Sequence, residues 1–258
     1  MAFSWVGDIW VADIDTGACR RLTDHVAQDW APVWFPDGSR IAFTSSREGN
    51  DDVYTIPVTG GTPTRHTWHG NYDVAMDVSP DCSTILIRSY RRLYSSDLYE
   101  VDLEGGLPKP ITNDMGVNRY ARYSSDGRSI VVGRGSSSWT RRRYNGSAST
   151  DIYVMDRDGR NMRWVENGYD GIDYWPCYGP NDEHIYFVSD RDGMENVWRI
   201  PAEGGPAEQL THFTNRPVLF LSVANTGRMA FVQDFRLWIM EPGLEPRLVD
   251  LDCATEPK

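Results

Sequence analysis

The chain has 258 residues, of which 40% are hydrophobic and 12% aromatic, enough to bury a large core as a single all-β domain. Its formal net charge of −11 argues against a nucleic-acid partner, since phosphate binding needs a concentrated cationic surface. No run of about 18 apolar residues occurs, and the opening residues lack the basic and apolar regions of a secretion signal. We therefore expect no membrane partner, no export and a cytoplasmic location.

An internal repeat is the most informative feature of the sequence. An acidic or polar residue, an aliphatic residue and an aromatic residue recur in that order along the chain. The copies are Asp8-Ile9-Trp10, Asp52-Val53-Tyr54, Asp97-Leu98-Tyr99, Asp151-Ile152-Tyr153, Asn196-Val197-Trp198 and, more weakly, Arg236-Leu237-Trp238. A turn signal such as Pro36-Asp37-Gly38, followed by an apolar run, precedes every copy except the first. The period of about 45 residues is typical of propeller blades.

Each repeat is predicted to hold four strands, because every short apolar run is bounded by turn residues. In the second repeat we place them at Pro32–Phe35, Arg40–Ser45, Val53–Ile56 and Pro63–Thr67. The repeated aromatic residues are expected to pack between blades. The prediction is one all-β, six-bladed β-propeller over residues 1–258, with blades at about 1–30, 31–75, 76–120, 121–175, 176–217 and 218–250 and a tail at 251–258. The first blade begins at a second strand and lacks its innermost strand, so we expect the chain to be part of a longer protein.

Particular segments carry a family resemblance. Pro36–Ser45 followed by Asn50–Tyr54 resembles the repeat shared by TolB-type propellers, tricorn proteases and the propellers of some prolyl-oligopeptidase relatives. Three further segments resemble the N-terminal propeller of tricorn-like serine proteases in particular: Trp139–Gly146, Tyr186–Gly193 and Phe231–Phe235. The long fourth repeat falls where that family carries an insertion rich in Trp, Arg and Tyr.

The resemblance implies a non-catalytic module of a peptide-degrading serine protease. Such a module acts in substrate and product gating, in anchoring peptide C termini and in domain assembly. Its expected partners are a peptide substrate or product, the remaining protease domains or another protein, and a second copy in a homo-oligomeric parent protein. The alternative is a TolB-like protein-binding scaffold with no link to proteolysis. No G-x-S-x-G, H-E-x-x-H or P-loop motif occurs, so no catalytic residue and no enzymatic activity are assigned to this chain.

Two basic clusters are the candidate functional sites. The resemblance implies that Arg91 and Arg92, in the third repeat, reach the catalytic region and hold the C-terminal carboxylate of a peptide. Two solvated loop arginines are the alternative. The second cluster is Arg141, Arg142 and Arg143, which with Trp139 and Tyr144 is expected to form an inter-domain or inter-subunit contact.

We expect no cofactor and no metal. The five histidines are scattered over different repeats, and His66 and His69 would need further ligands to bind a metal. The segments Asp156–Gly159 and Asp190–Gly193 resemble the start of a calcium loop, but they lack its later ligands and are predicted to be turns. Cys19, Cys82, Cys177 and Cys253 lie far apart in the sequence and are expected to be free thiols.

Overall fold

Six antiparallel sheets make up the protein. The computed structural model describes residues 1–92, 95–114, 116–141, 143–165 and 168–253. Within these ranges it has 23 β-strands and one 3₁₀ turn, Pro180–Asp182, and each sheet is built from strands that are consecutive in the chain. This arrangement confirms the predicted class, an all-β six-bladed propeller. The residues form two compact units, one made of residues before 116 and after 249, the other of residues 116–249.

The first unit holds three sheets. The strands of the first sheet are β1 (Ala2–Trp5), β2 (Asp8–Ala12) and β3 (Cys19–Arg21). Those of the second sheet are β4 (Asp29–Trp34), β5 (Arg40–Ser45), β6 (Asp52–Pro57) and β7 (Thr64–Arg65). Those of the third sheet are β8 (Asp73–Val78), β9 (Thr84–Ser89), β10 (Asp97–Asp102) and β11 (Lys109–Pro110). The first sheet thus has three strands, as predicted.

The second unit also holds three sheets, each of four strands. The fourth sheet contains β12 (Asn118–Tyr123), β13 (Ser129–Arg134), β14 (Asp151–Asp156) and β15 (Arg163–Trp164). The fifth contains β16 (Asp173–Tyr178), β17 (His184–Ser189), β18 (Asn196–Pro201) and β19 (Glu208–Gln209). The sixth contains β20 (Val218–Val223), β21 (Met229–Gln233), β22 (Arg236–Met240) and β23 (Arg247–Leu248).

The core of each unit lies between neighbouring sheets. In the first unit, Ile9 of the first sheet packs with Phe43 and Tyr54 of the second, and Val53 packs with Tyr99 of the third. In the second unit, equivalent clusters join the fourth sheet to the fifth and the fifth to the sixth. Tyr54 and Tyr99 are two of the repeated aromatic residues, and their burial between sheets confirms the predicted packing role.

The acidic residue of the repeat caps the third strand of its sheet. Asp52 begins β6 with its side chain fully buried, and its Oδ1 accepts a hydrogen bond of 2.9 Å from the Thr67 hydroxyl. The same hydroxyl accepts a hydrogen bond of 2.9 Å from the backbone N–H of Val53. Threonine takes the same place in the first, third and fifth sheets, as Thr23, Thr112 and Thr211. This bridge fixes the loop after the fourth strand and explains why an acid or amide recurs there.

The predicted turns are confirmed. Gly38 has φ +71° in the loop between β4 and β5, and Gly60 has φ +94° between β6 and β7, a region that favours glycine. The two calcium-like segments are also turns: the Gly159 N–H donates to the Asp156 carbonyl and the Gly193 N–H to the Asp190 carbonyl.

The expectation of four free thiols is wrong for two of them. Cys19 and Cys253 form a disulfide, with their Cα atoms 4.9 Å apart, whereas Cys82 and Cys177 keep their thiols, as expected. The pair was not expected because the two cysteines are 234 residues apart in the sequence. They meet because the chain returns to the first sheet after β23. There Asp252 forms a parallel bridge with Ala18, beside β3 and on the opposite edge of the sheet from β1. The described part of the tail therefore does not occupy the place of the missing strand.

Candidate functional site

Arg91, one of the two predicted anchoring residues, is bound within its own sheet. Its Nη2 lies 2.6 Å from Oδ2 of Asp73, and its Nε donates to the Ser89 hydroxyl at 3.1 Å. The guanidinium also lies over the Tyr99 ring, 5.5 Å from the centroid. The side chain of Arg91 is 18% exposed and that of Asp73 is fully buried. The guanidinium fork is therefore used in an internal ion pair.

The same arrangement recurs in two other sheets. In each, an arginine two residues after the second strand pairs with the aspartate that begins the first strand, donates to the serine that ends the second strand, and covers the repeated aromatic ring. The equivalent residues are Asp29, Ser45, Arg47 and Tyr54 in the second sheet and Asp173, Ser189, Arg191 and Trp198 in the fifth. An aspartate followed 16 and 18 residues later by serine and arginine is the sequence signal that would have revealed this motif.

Arg92, the next residue, faces solvent. Its side chain is 43% exposed; its Nε is 3.9 Å from Oδ2 of Asp97, and its Nη1 donates to the Asn113 side chain. Arg92 lines an open pocket of about 470 Å³ in the first unit. The other lining residues are Trp30, Asp51, Asn71, Tyr72, Val74, Arg88 and Tyr90.

The pocket combines aromatic walls with an excess of positive charge. Arg88 lies 5.5 Å from the centre of the Tyr90 ring, and Trp30 Nε1 donates to Asp51 at 3.5 Å. Among the lining residues, Arg88 and Arg92 carry guanidinium groups and Asp51 carries a carboxylate. Such a lining suits an anionic group attached to an apolar body, because the fork binds oxygen atoms and the rings bury carbon.

The predicted contact cluster lies in the loop between β13 and β14. Arg143 donates through its backbone N–H to Asp190 at 2.9 Å and through Nη2 to the Gly193 carbonyl at 2.9 Å. Arg141 stacks on Tyr144, with its guanidinium carbon 3.8 Å from the ring centroid. Trp139 remains partly exposed. Arg142, also part of the prediction, lies outside the described residues.

An aromatic cluster beside this loop was not predicted. Tyr120, Trp175 and Phe220 are each the third residue of a first strand, and all three have φ between 49° and 58°, which is rare for bulky residues. The ring centroid of Trp175 lies 5.4 Å from that of Tyr120 and 5.2 Å from that of Phe220, and the Phe220 ring contacts Trp139 at 5.9 Å. Strand pairing shifts register at these positions, so a β-bulge turns each ring out of the ladder.

Neither a metal site nor a membrane helix is found in the part of the chain that the structure describes. No three His, Cys, Asp or Glu side chains there are grouped to hold a metal ion. No helix of that part has the length and apolarity needed to cross a bilayer.

Comparisons with known proteins agree on one relationship. The family described as "Tricorn protease N-terminal beta propeller domain" matches residues 1–245. "Tricorn protease homolog 1" of Streptomyces coelicolor is 25% identical over 97% of this chain, and "Tricorn protease homolog" of Saccharolobus solfataricus is 24% identical over 83%. The chain spans only 24% and 20% of the lengths of these two relatives.

Solved structures show the same fold. The crystal structure of the tricorn protease superposes with a TM-score of 0.84 at 19% identity, covering 100% of this chain and 26% of that one. The structure of putative TolB from Agrobacterium tumefaciens gives a TM-score of 0.78 at 23% identity, covering 96% and 89% of the two chains. At these identities the likeness concerns the fold alone.

Proposed function

Since the chain belongs to the family of tricorn protease N-terminal β-propeller domains, we propose that it is a non-catalytic module of a larger tricorn-like serine protease. In that protein it gates substrate or product, anchors the C terminus of a peptide and contributes to domain assembly. The family membership and the chain's small share of its relatives support a role beside catalytic domains. The anchoring role is supported by one observation, the open aromatic pocket lined by Arg88 and Arg92.

Of the two predicted anchoring arginines, Arg92 takes the carboxylate. The fork of Arg91 is held by Asp73 and Ser89, and moving it to a ligand would leave a buried carboxylate without its cation. Arg92 is more exposed, and its contacts are a long ion pair with Asp97 and a solvent-exposed hydrogen bond to Asn113, so it can turn toward a ligand at lower cost than Arg91. In this proposal Trp30 and Tyr72 contact the last side chain of the peptide, and Arg92 forms charge-assisted hydrogen bonds to its terminal oxygens.

Paired peptides test this assignment. The chain is titrated in a calorimeter with one peptide prepared as the free acid and as the C-terminal amide. The free acid should bind better, and Arg92→Ala should lower its affinity about tenfold or more while leaving the amide unchanged. Arg128→Ala is the matched control, because it removes the same charge from an exposed position outside the pocket. Equal affinities for acid and amide, or an unchanged affinity in Arg92→Ala, would reject the anchor.

A protein-binding scaffold is the second candidate. It is favoured by large apolar side chains that are exposed in loops of the sheets, among them Trp68 and Tyr72 in the first unit and Phe235 in the second. A scaffold of this kind would lose its partner on Trp68→Ala or Phe235→Ala and would not distinguish an acid from an amide. The same titration therefore separates the two functions.

A further inference from the structure

The segment that follows the sixth sheet docks on the first sheet. The Asp252 N–H donates to the Gly17 carbonyl at 2.9 Å, and the Cys19 N–H donates to the Asp252 carbonyl at 3.4 Å. The disulfide between Cys19 and Cys253 closes the same contact. We call residues 17–19, residues 250–253 and this disulfide the latch.

The sequence accommodates the docked segment at Gly17. This glycine is buried with φ +77°, and a Cβ added to it would lie 2.1 Å from the carbonyl oxygen of Asp250. That distance is far below a van der Waals contact, and the Asp250 oxygen belongs to the backbone, so it cannot move aside as the end of a flexible side chain would. Any larger residue would therefore push residues 250–253 away from the first sheet.

The latch has a small noncovalent part. Asp250 and Asp252 are exposed, and residues 250–253 contribute no fully buried apolar side chain. A segment with few buried contacts and short hydrogen-bonded length opens at low free energy unless it is tied covalently. The disulfide supplies that tie, and it closes a loop of 234 residues.

Cys19 and Cys253 are both half-buried, so neither belongs to the enclosed core, and accessible disulfides are the ones that a small dithiol reduces most readily. We propose that Cys19 and Cys253 form a reversible thiol–disulfide site that controls whether residues 250–253 are docked. A thiolate of the dithiol attacks one sulfur of the Cys19–Cys253 bond, forms a mixed disulfide with that cysteine and releases the other cysteine. The second thiol of the reductant then attacks the mixed disulfide and releases the remaining cysteine. Two electrons and two protons pass to the pair, the Cys19–Cys253 bond breaks, and the reductant leaves as a disulfide. The open latch then frees the residues that lead out of the sixth sheet.

Hydrogen exchange with peptide mass mapping tests the latch on the full chain. The unreduced protein should yield a linked peptide pair containing Cys19 and Cys253. After reduction with dithiothreitol, exchange in residues 250–253 should become at least about tenfold faster while β5 and β9 stay unchanged, and reoxidation should restore protection. Absence of the linked pair, unchanged exchange in residues 250–253, or faster exchange throughout the unit would each overturn the proposal.

A pair of glycine variants gives an independent measurement that keeps both cysteines. Gly17→Ala should raise the rate at which dithiothreitol reduces the Cys19–Cys253 bond, because the new Cβ expels the docked segment. Gly38→Ala is the control, since Gly38 has a similar φ of +71° but no atom within 4 Å of the added Cβ. Equal reduction rates in the two variants would show that docking does not protect the bond and would reject the latch.

Discussion

Arg91→Ala and Arg92→Ala should have opposite consequences although the two residues are adjacent. Arg91→Ala removes the cation from Asp73, whose carboxylate is fully buried and, among the residues that the structure describes, keeps the hydrogen bond of 2.5 Å from the Ser89 hydroxyl. Arg92→Ala removes a side chain that is 43% exposed. We therefore expect the first variant to lose stability with little effect on the preference for an anionic ligand, and the second to lose ligand binding with only a small loss of stability.

The size of the first effect follows from burial. Removing one partner of a buried ion pair costs about 3 to 5 kcal/mol. Because Arg91 is itself partly exposed and Ser89 still bonds to Asp73, we expect the lower end, about 3 kcal/mol, which lowers the melting temperature of a protein of this size by roughly 6 to 12 °C. The pair of Arg92 with Asp97 is long, at 3.9 Å; the Asp97 carboxylate is buried, but it also accepts hydrogen bonds from Ser95 and Thr112, so we expect the loss of Arg92 to cost about 1 kcal/mol or less.

Urea unfolding and thermal melts of the single variants measure the difference. Arg47→Ala is the matched comparison, because Arg47 forms the same ion pair with the fully buried Asp29 in the second sheet. The double variant Asp73→Ala, Arg91→Ala should be little less stable than Arg91→Ala alone, since no buried charge is then left unpaired. Arg91→Ala with wild-type stability, beside a destabilised Arg47→Ala, would refute the structural role of Arg91.

Three further predictions concern pH, exchange and activity. Burial, and after it the charge of Arg40, lower the pKa of His66 below its usual 6.5, so the unfolded chain binds the proton more readily than the folded chain does. The free energy of unfolding should therefore fall as pH drops below about 6.5. Urea midpoints at pH 7 and pH 5.5 measure this fall, which should be smaller in His66→Gln. In the described part of the chain β1 is an edge strand that pairs with β2, whereas β5 lies between β4 and β6, so amides of β1 should exchange faster than those of β5, and equal rates would contradict this. A serine-directed covalent probe should leave the purified chain unlabelled, and stoichiometric labelling with peptide turnover would reveal an unassigned nucleophile.

Much of the fold could be read from the sequence because each strand is bounded by turn residues. The predicted strand Arg40–Ser45 is β5 without change. Blade boundaries at 31, 76, 121 and 176 fall two or three residues inside the first strands, because these strands begin earlier, at residues such as Asp29 and Asp73. Aspartate is depleted in strands, so local propensity places it in a loop. The ion pair with an arginine 18 residues later overrides that preference, and it can be recognised only by comparing repeats.

The disulfide and the aromatic cluster depend on contacts that local patterns do not encode. Cys19 and Cys253 are separated by almost the whole chain, and only the return of residues 250–253 to β3 brings them together. Trp175 and Phe220 occupy equivalent positions in neighbouring sheets, but their contact requires bulges that turn both rings the same way. Spacing between aromatic residues does not reveal a bulge, so neither contact follows from the repeat alone.

The basic pair shows how a repeat can present a cation at the edge of a pocket. In three sheets the arginine after the second strand is fixed by an aspartate, a serine and an aromatic ring, so its backbone position is set by packing. The residue that follows the fixed arginine is exposed in all three sheets, so its side chain is presented to solvent. In the third sheet that residue is Arg92, where the second sheet has Glu48 and the fifth has Asp192. A single change of residue type at this presented position is sufficient to place a cation at the rim of the aromatic pocket, while the neighbouring arginine keeps the loop in place.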